Sequence, residues 1–197
     1  MVIYFALVAL LVTGGVGLVS LLADGGRDFL LRYSWLIFAL AATVVFSIGA
    51  YLAFWQYELW QSDPLTRFLL PPYQDINYFI FYSFSRFFAP YLTSLLAALA
   101  VLASASLLNR KSGGVFFEKG EPYLAALSVF LVGHPGWLIY LALLIAAYLI
   151  LHTLYVIRRH ESARLPLYHL WAPVAFFVIL LNEYWLSHTS WWALLSF

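Results

Sequence analysis

Cysteine is absent from all 197 residues. Disulfides, thiolate metal sites and a cysteine nucleophile are therefore excluded, and the redox compartment is left open. Charge is almost as scarce. Asp, Glu, Lys and Arg together make up 10% of the chain and the net charge is +1, so nothing in the balance points to nucleic acid or to an acidic partner. Several motifs are missing as well. There is no HExxH zinc pair, no G-x-S-x-G nucleophile elbow, and no Lys-Ser/Thr after Gly14-Gly15 to make a phosphate loop. No internal repeat links the two halves, which argues against a duplicated transporter. No motif asks for a cofactor, and none is expected.

What is present is apolar. Hydrophobic residues make up 64% of the chain, aromatics 20%, and the mean hydropathy is +0.89. Uncharged runs cover residues 1–23 and 33–57, and clean apolar stretches follow at 87–109, 137–157 and 165–182. A soluble core does not require uncharged runs of this length, so the composition reads as an all-α, polytopic integral membrane protein of five to six spans. Residues 1–23 lack a basic start and an early small-residue cleavage site, and read as a retained span rather than a signal peptide. With 8 Trp and 14 Tyr, many aromatics are expected in interfacial belts. The bilayer itself is the first partner, in the cell or cytoplasmic membrane.

The central run sets the problem. Residues 122–157 contain 36 positions without Asp, Glu, Lys or Arg. One helix of that length would measure roughly 54 Å against a hydrocarbon core of roughly 30 Å, while two crossings need about 40 residues plus a turn. The break falls at Gly133-His134-Pro135-Gly136, because Pro135 cannot continue the backbone ladder and the glycines tolerate a turn. The sequence thus predicts a full span after the turn and a short or re-entrant helix over 121–133 before it. In that geometry Glu118, Lys119 and Glu121 are drawn toward membrane depth, where an ionisable group suggests function. The alternative is a helix extended back through Val115-Phe116-Phe117, with the charges snorkelling to the surface.

Residues 62–86 are ambiguous. Asp63-Pro64, Pro71-Pro72, Asp75 and Asn77 precede an aromatic run. They suit either an interfacial helix or a broken span shielded by its neighbours. A two-helix membrane hairpin over 1–60 and a membrane core over 61–197 follow as the domain division. Basic loops at 110–114 and 158–164 flank the central hairpin. Both can be cytoplasmic only if that hairpin returns to the side it left. The side faced by the N-terminus is not decided by its own loops.

Lys119-Gly120-Glu121 is followed by Tyr123-Leu124-Ala125-Ala126-Leu127, then Gly133-His134-Pro135-Gly136-Trp137, Arg158-Arg159 and Leu165-Pro166-Leu167-Tyr168. In this order the stretch resembles the C-terminal half of the type IV prepilin peptidases, the GxGD membrane aspartyl proteases. Asp63, standing before Leu69-Leu70-Pro71, resembles the first catalytic position of that family. The likeness covers residues 60–185. It implies a membrane aspartyl endopeptidase site in which Asp63 and Glu121 are catalytic, with leader-bearing, type IV pilin-like peptides as partners. Two acids sharing a low-dielectric cavity would split in pKa, one charged and one protonated, as general acid–base hydrolysis requires. The chain departs from the pattern in two places: Glu118 replaces the first Gly, and Glu121 replaces the catalytic Asp. Glu is one methylene longer, and a proton-sharing dyad needs close placement. The substitution is therefore expected to weaken or abolish proteolysis, leaving a divergent or degenerate relative. The soluble loop with zinc-binding cysteines found in many members is absent.

Three other readings stand beside the dyad. Asp63 can simply start a turn, and Glu121 can precede a helix with Pro122 in its first turn, where both residues are favoured. A metal site can draw on His134, His152, His160, His169, Glu118, Glu121 and Glu183, although no ligand spacing supports one. A non-catalytic membrane scaffold, an assembly subunit or a small transporter needs none of this chemistry.

Overall fold

The computed structural model describes residues 2–19, 24–114, 116–159 and 167–193. Most of the second basic loop, with His160, and the last four residues of the tail lie outside them. Every regular element among the described residues is helical: α1 Val2–Val19, α2 Asp24–Ser62, α3 Ile76–Ser83, α4 Ala89–Lys111, α5 Glu121–Val132, α6 Gly136–Arg159, α7 Trp171–Tyr184 and α8 Ser190–Ala193. Three helices are long and apolar enough to cross a membrane: Phe29–Ser62, Ile76–Lys111 and Gly136–Arg158. Val2–Gly15 and Glu121–Val132 are shorter apolar helices. Large apolar side chains such as Leu40, Leu96, Ile145, Ile150 and Phe177 stay exposed on the bundle's outer helices. A helix apolar on all sides is what a lipid-facing position requires.

Local chemistry sets the boundaries. Helix α2 stops at Ser62 because Pro64 disfavours helical backbone at Asp63. A short 3-10 turn, Thr66–Leu69, follows, and α3 begins where the Asp75 carboxylate accepts the Asn77 N–H at 2.8 Å. The helix then continues to Lys111 through a π turn at Phe84–Phe88. Pro90 explains that wider turn: it carries no N–H for the carbonyl four residues back, and its ring crowds that carbonyl. Residues 76–86 are therefore part of one continuous helix with α4. They extend α4 toward its N-terminus, and the break expected over 62–86 is confined to residues 63–75.

Helix α5 is the centre of the molecule. It packs against α4, α2, α7, α6 and α1, and of its 12 residues only Tyr123 is exposed. At about 18 Å long it is too short to cross lipid alone, as the glycine and proline punctuation implies. It does not extend back through residues 116–120, which are not helical. Gly133, with φ +78°, ends it, and α6 begins at Gly136. Phe130, near its C-terminus, meets the rings of Phe38 and Phe46 on α2 and Tyr91 on α4. One hydrophobic core runs from Ala6 and Leu10 of α1 through α2, α5 and α6 to Ile179 of α7, so it draws on residues from both sides of position 60. Beyond the level of Phe46, α2 continues for about 24 Å. There it pairs with α3 around a second, smaller cluster of Trp60, Leu70 and Phe79.

Candidate functional site

Glu121 is the first residue of α5 and is 3% exposed. Gly120 before it has φ +95°, in the left-handed region that favours glycine. A Cβ there would collide with the Leu31 carbonyl oxygen of α2 and lie 2.9 Å from Ser34 Oγ. The start of α5 is thus pressed directly on the α2 backbone. The approach is fixed from the other side by Asn109 at the end of α4. Its Nδ2 donates to the Phe117 carbonyl at 2.9 Å and its Oδ1 accepts the Phe117 N–H at 3.0 Å. Between these two contacts the Glu121 carboxylate turns inward.

Both carboxylate oxygens are occupied. Oε2 accepts the Glu118 backbone N–H at 2.9 Å, and the Glu121 N–H returns to the Glu118 carbonyl at 3.1 Å. Oε1 accepts the indole N–H of Trp171 at 3.1 Å. The chain of contacts goes on: the Tyr140 hydroxyl of α6 donates to the Trp171 carbonyl at 3.2 Å and has Ser128 of α5 as a further partner. One buried polar network therefore joins α5, α6 and α7. Groups buried this way must be bonded, since an unpaired one costs about 1–3 kcal/mol. Beside the network, a cavity of about 20 Å3 lies between Thr13, Leu30, Ser128, Tyr168 and Ala172. That volume admits a water and not a peptide.

Asp63 has a different job. Its Oδ2 accepts both the backbone N–H and the hydroxyl of Thr66, each at 2.8 Å. It caps the 3-10 turn that follows α2. The Thr66 backbone N–H, then the Thr66 hydroxyl, hold its carboxyl below the usual carboxylate range. The turn reading of Asp63 and the helix-start reading of Glu121 with Pro122 are thus both found locally. The pairing of the two acids is not formed. Gly120, the residue before Glu121, stands against Leu31, and Asp63 follows Ser62 on the same helix, a separation of about 45 Å along α2. A proton-sharing dyad needs its oxygens within a few ångströms.

Among the described residues no group of three or more His, Asp or Glu could hold a metal ion. His152 stacks on Tyr148 at 5.7 Å within its own helix, and its Nδ1 is buried without a hydrogen-bond partner. Trp171 and Asn109, which do shape the surroundings of Glu121, carry no signal in the sequence. A tryptophan at a helix start reads as an interfacial anchor, and this one is buried. Compared with known protein families, with characterised proteins and with solved structures, the chain matches none.

Proposed function

We propose that this chain is an integral membrane protein with a non-catalytic role, a scaffold or assembly subunit crossing the bilayer five to six times. The three long helices supply three crossings. Further crossings fall to α1, 18 residues long, and to α7, whose 14 residues measure about 21 Å and need their flanking segments to complete a crossing, with α5 the short inner helix around which they pack. The observation that carries the reading is the separation of Asp63 from Glu121 by most of α2, with each carboxylate already committed to neighbouring donors. Each carboxylate accepts its hydrogen bonds from neighbouring donors, and both act as joints in the architecture. The test is an in-membrane assay on a leader-bearing, type IV pilin-like substrate. No cleavage is expected from the wild-type chain. Cleavage that disappears in both Asp63→Asn and Glu121→Gln would overturn the scaffold reading.

One observation favours a second reading, a degenerate relative of prepilin peptidase that binds leader peptides without cutting them. A short, buried helix opening on Gly120-Glu121 is the arrangement that the resemblance implies. Photo-crosslinking of a leader peptide to residues around Tyr123 would support it. Absence of labelling beside an active family member leaves the scaffold alone.

A further inference from the structure

The charged residues divide between the two ends of the long helices. Arg32 lies one residue from the Leu31 contact with Gly120, and Arg110, Lys111 and Lys119 flank the α4–α5 connection. Arg158 is at the end of α6 remote from the Gly133–Gly136 corner. The opposite end, where α2 meets α3, carries Arg67 and Arg86 against Glu58, Asp63 and Asp75. Lys and Arg mark the cytoplasmic side of a membrane protein, so the α4–α5 connection faces the cytoplasm. That leaflet is also the one rich in anionic lipid.

A groove of about 480 Å3 opens there, between the C-terminal turn of α4 and the start of α5. Arg110 and Lys119 are exposed along it, Glu118 is half-buried in its wall, and Ser106 and Asn109 line its α4 side. Tyr123 also lines it, and its 37% exposure is the single opening in an otherwise buried helix. We propose that this groove binds the phosphate headgroup of an anionic phospholipid. The volume falls in the range of small-molecule sites. Two cations lining one groove, Arg110 from α4 and Lys119 from the α4–α5 connection, match a phosphodiester, and a half-exposed tyrosine in the same lining suits the boundary between headgroup and acyl chain. Basic pockets between spans on this face are where headgroup recognition is expected. The comparable groove at the other end is lined by Tyr78, Phe81, Tyr82, Ser85 and Arg86, with one cation on one helix and no second wall to complete a site. The proposal rests on the reading of the chain as a membrane protein.

Native mass spectrometry of the full chain in detergent tests it, with dioleoyl phosphatidylglycerol and dioleoyl phosphatidylcholine offered at equal concentration. Preferential retention of phosphatidylglycerol is expected. The double variant Arg110→Gln/Lys119→Gln should lower its affinity roughly 30-fold, about fivefold for each cation. Arg67→Gln/Arg86→Gln removes the same net charge at the far end and should leave affinity unchanged. Arg110→Lys/Lys119→Arg keeps both charges and should retain binding, which separates loss of the site from loss of the fold. Equal retention of the two lipids, or equal loss in both glutamine doubles, overturns the proposal. So does competition by free glycerol 3-phosphate at the lipid's own concentration, since phosphate alone would then suffice. Carbonate extraction of membranes reports separately on the membrane reading. A chain that stays in the pellet while showing no lipid preference defeats the groove and not the membrane reading.

Discussion

Glu121 and Asp63 are the same functional group placed in opposite settings. Glu121 opens the helix that packs against five others, with one oxygen on its own backbone turn and the other on an indole from α7. Asp63 sits on the far tip of a two-helix projection and bonds to a residue three positions away. One contact set is assembled only when the whole bundle is folded; the other is complete within a single turn. A carboxylate in an apolar chain need not announce chemistry. It can close a long-range joint or start a turn, and its partners decide which.

The comparison breaks most visibly at the joint itself, where Gly120→Ala should do the most damage of any single substitution. The left-handed backbone alone costs a side chain about 1–3 kcal/mol, and the collision with the Leu31 carbonyl adds to it because backbone cannot step aside. Loss of a monodisperse, cooperatively unfolding species in detergent is expected. Gly113 and Gly114 also have positive φ, but a Cβ at either meets nothing within 4 Å. Alanine there should cost the backbone strain only. A Gly120→Ala chain as stable as Gly113→Ala would mean that α5 does not press on the α2 backbone.

Glu121→Ala comes next. It leaves the buried Trp171 indole N–H without its carboxylate acceptor, at about 1–3 kcal/mol, and takes the acceptor from the part-buried Glu118 N–H at a smaller cost. The thermal midpoint should fall clearly, and Trp171→Phe should cost less in this background than in the wild type, because the hydrogen-bond partner is already gone. Full additivity of the two would mean that the bond between them contributes nothing. Tyr140→Phe is milder. It deletes one donor to the Trp171 carbonyl, for a loss of about 1 kcal/mol.

Much of this architecture is legible in the sequence because its signals are local. Gly133 and Pro135 mark one end of α5 and Gly120 and Pro122 the other, so its shortness follows from four residues. The burial of Glu121 follows from that shortness. Its partner does not: Trp171 lies 50 residues away, and only the packing of α7 on α5 brings them together. The separation from Asp63 is hidden for a related reason. The likeness to a two-acid protease depends on order along the chain, whereas the distance depends on α2 running unbroken from Leu31, beside Gly120, to Ser62, beside Asp63. The paired prolines at 71 and 72 suggest a disrupted span over 62–86. The disruption is real but brief, because Asp75 caps a new helix at once.

The smallest effect belongs to Asp63, and its pH dependence is the sharpest contrast with the joint. Hydrogen bonds from Thr66 favour the charged carboxylate, so its pKa in the folded chain lies below the ordinary 3.8. A depressed carboxylate contributes stability that is present above the unfolded pKa. That contribution is lost as pH falls through the folded value. Asp63→Asn should therefore lower the thermal midpoint slightly at neutral pH, and the difference from wild type should shrink below about pH 4. Because the Asp63 carboxylate is open to solvent, salt and water screen it and the loss should stay below that of Glu121→Ala. If Asp63→Asn proves the more damaging of the two, the tip is no simple capped turn. The second cluster around Trp60 and Phe79 must then depend on that charge as the main core depends on Glu121.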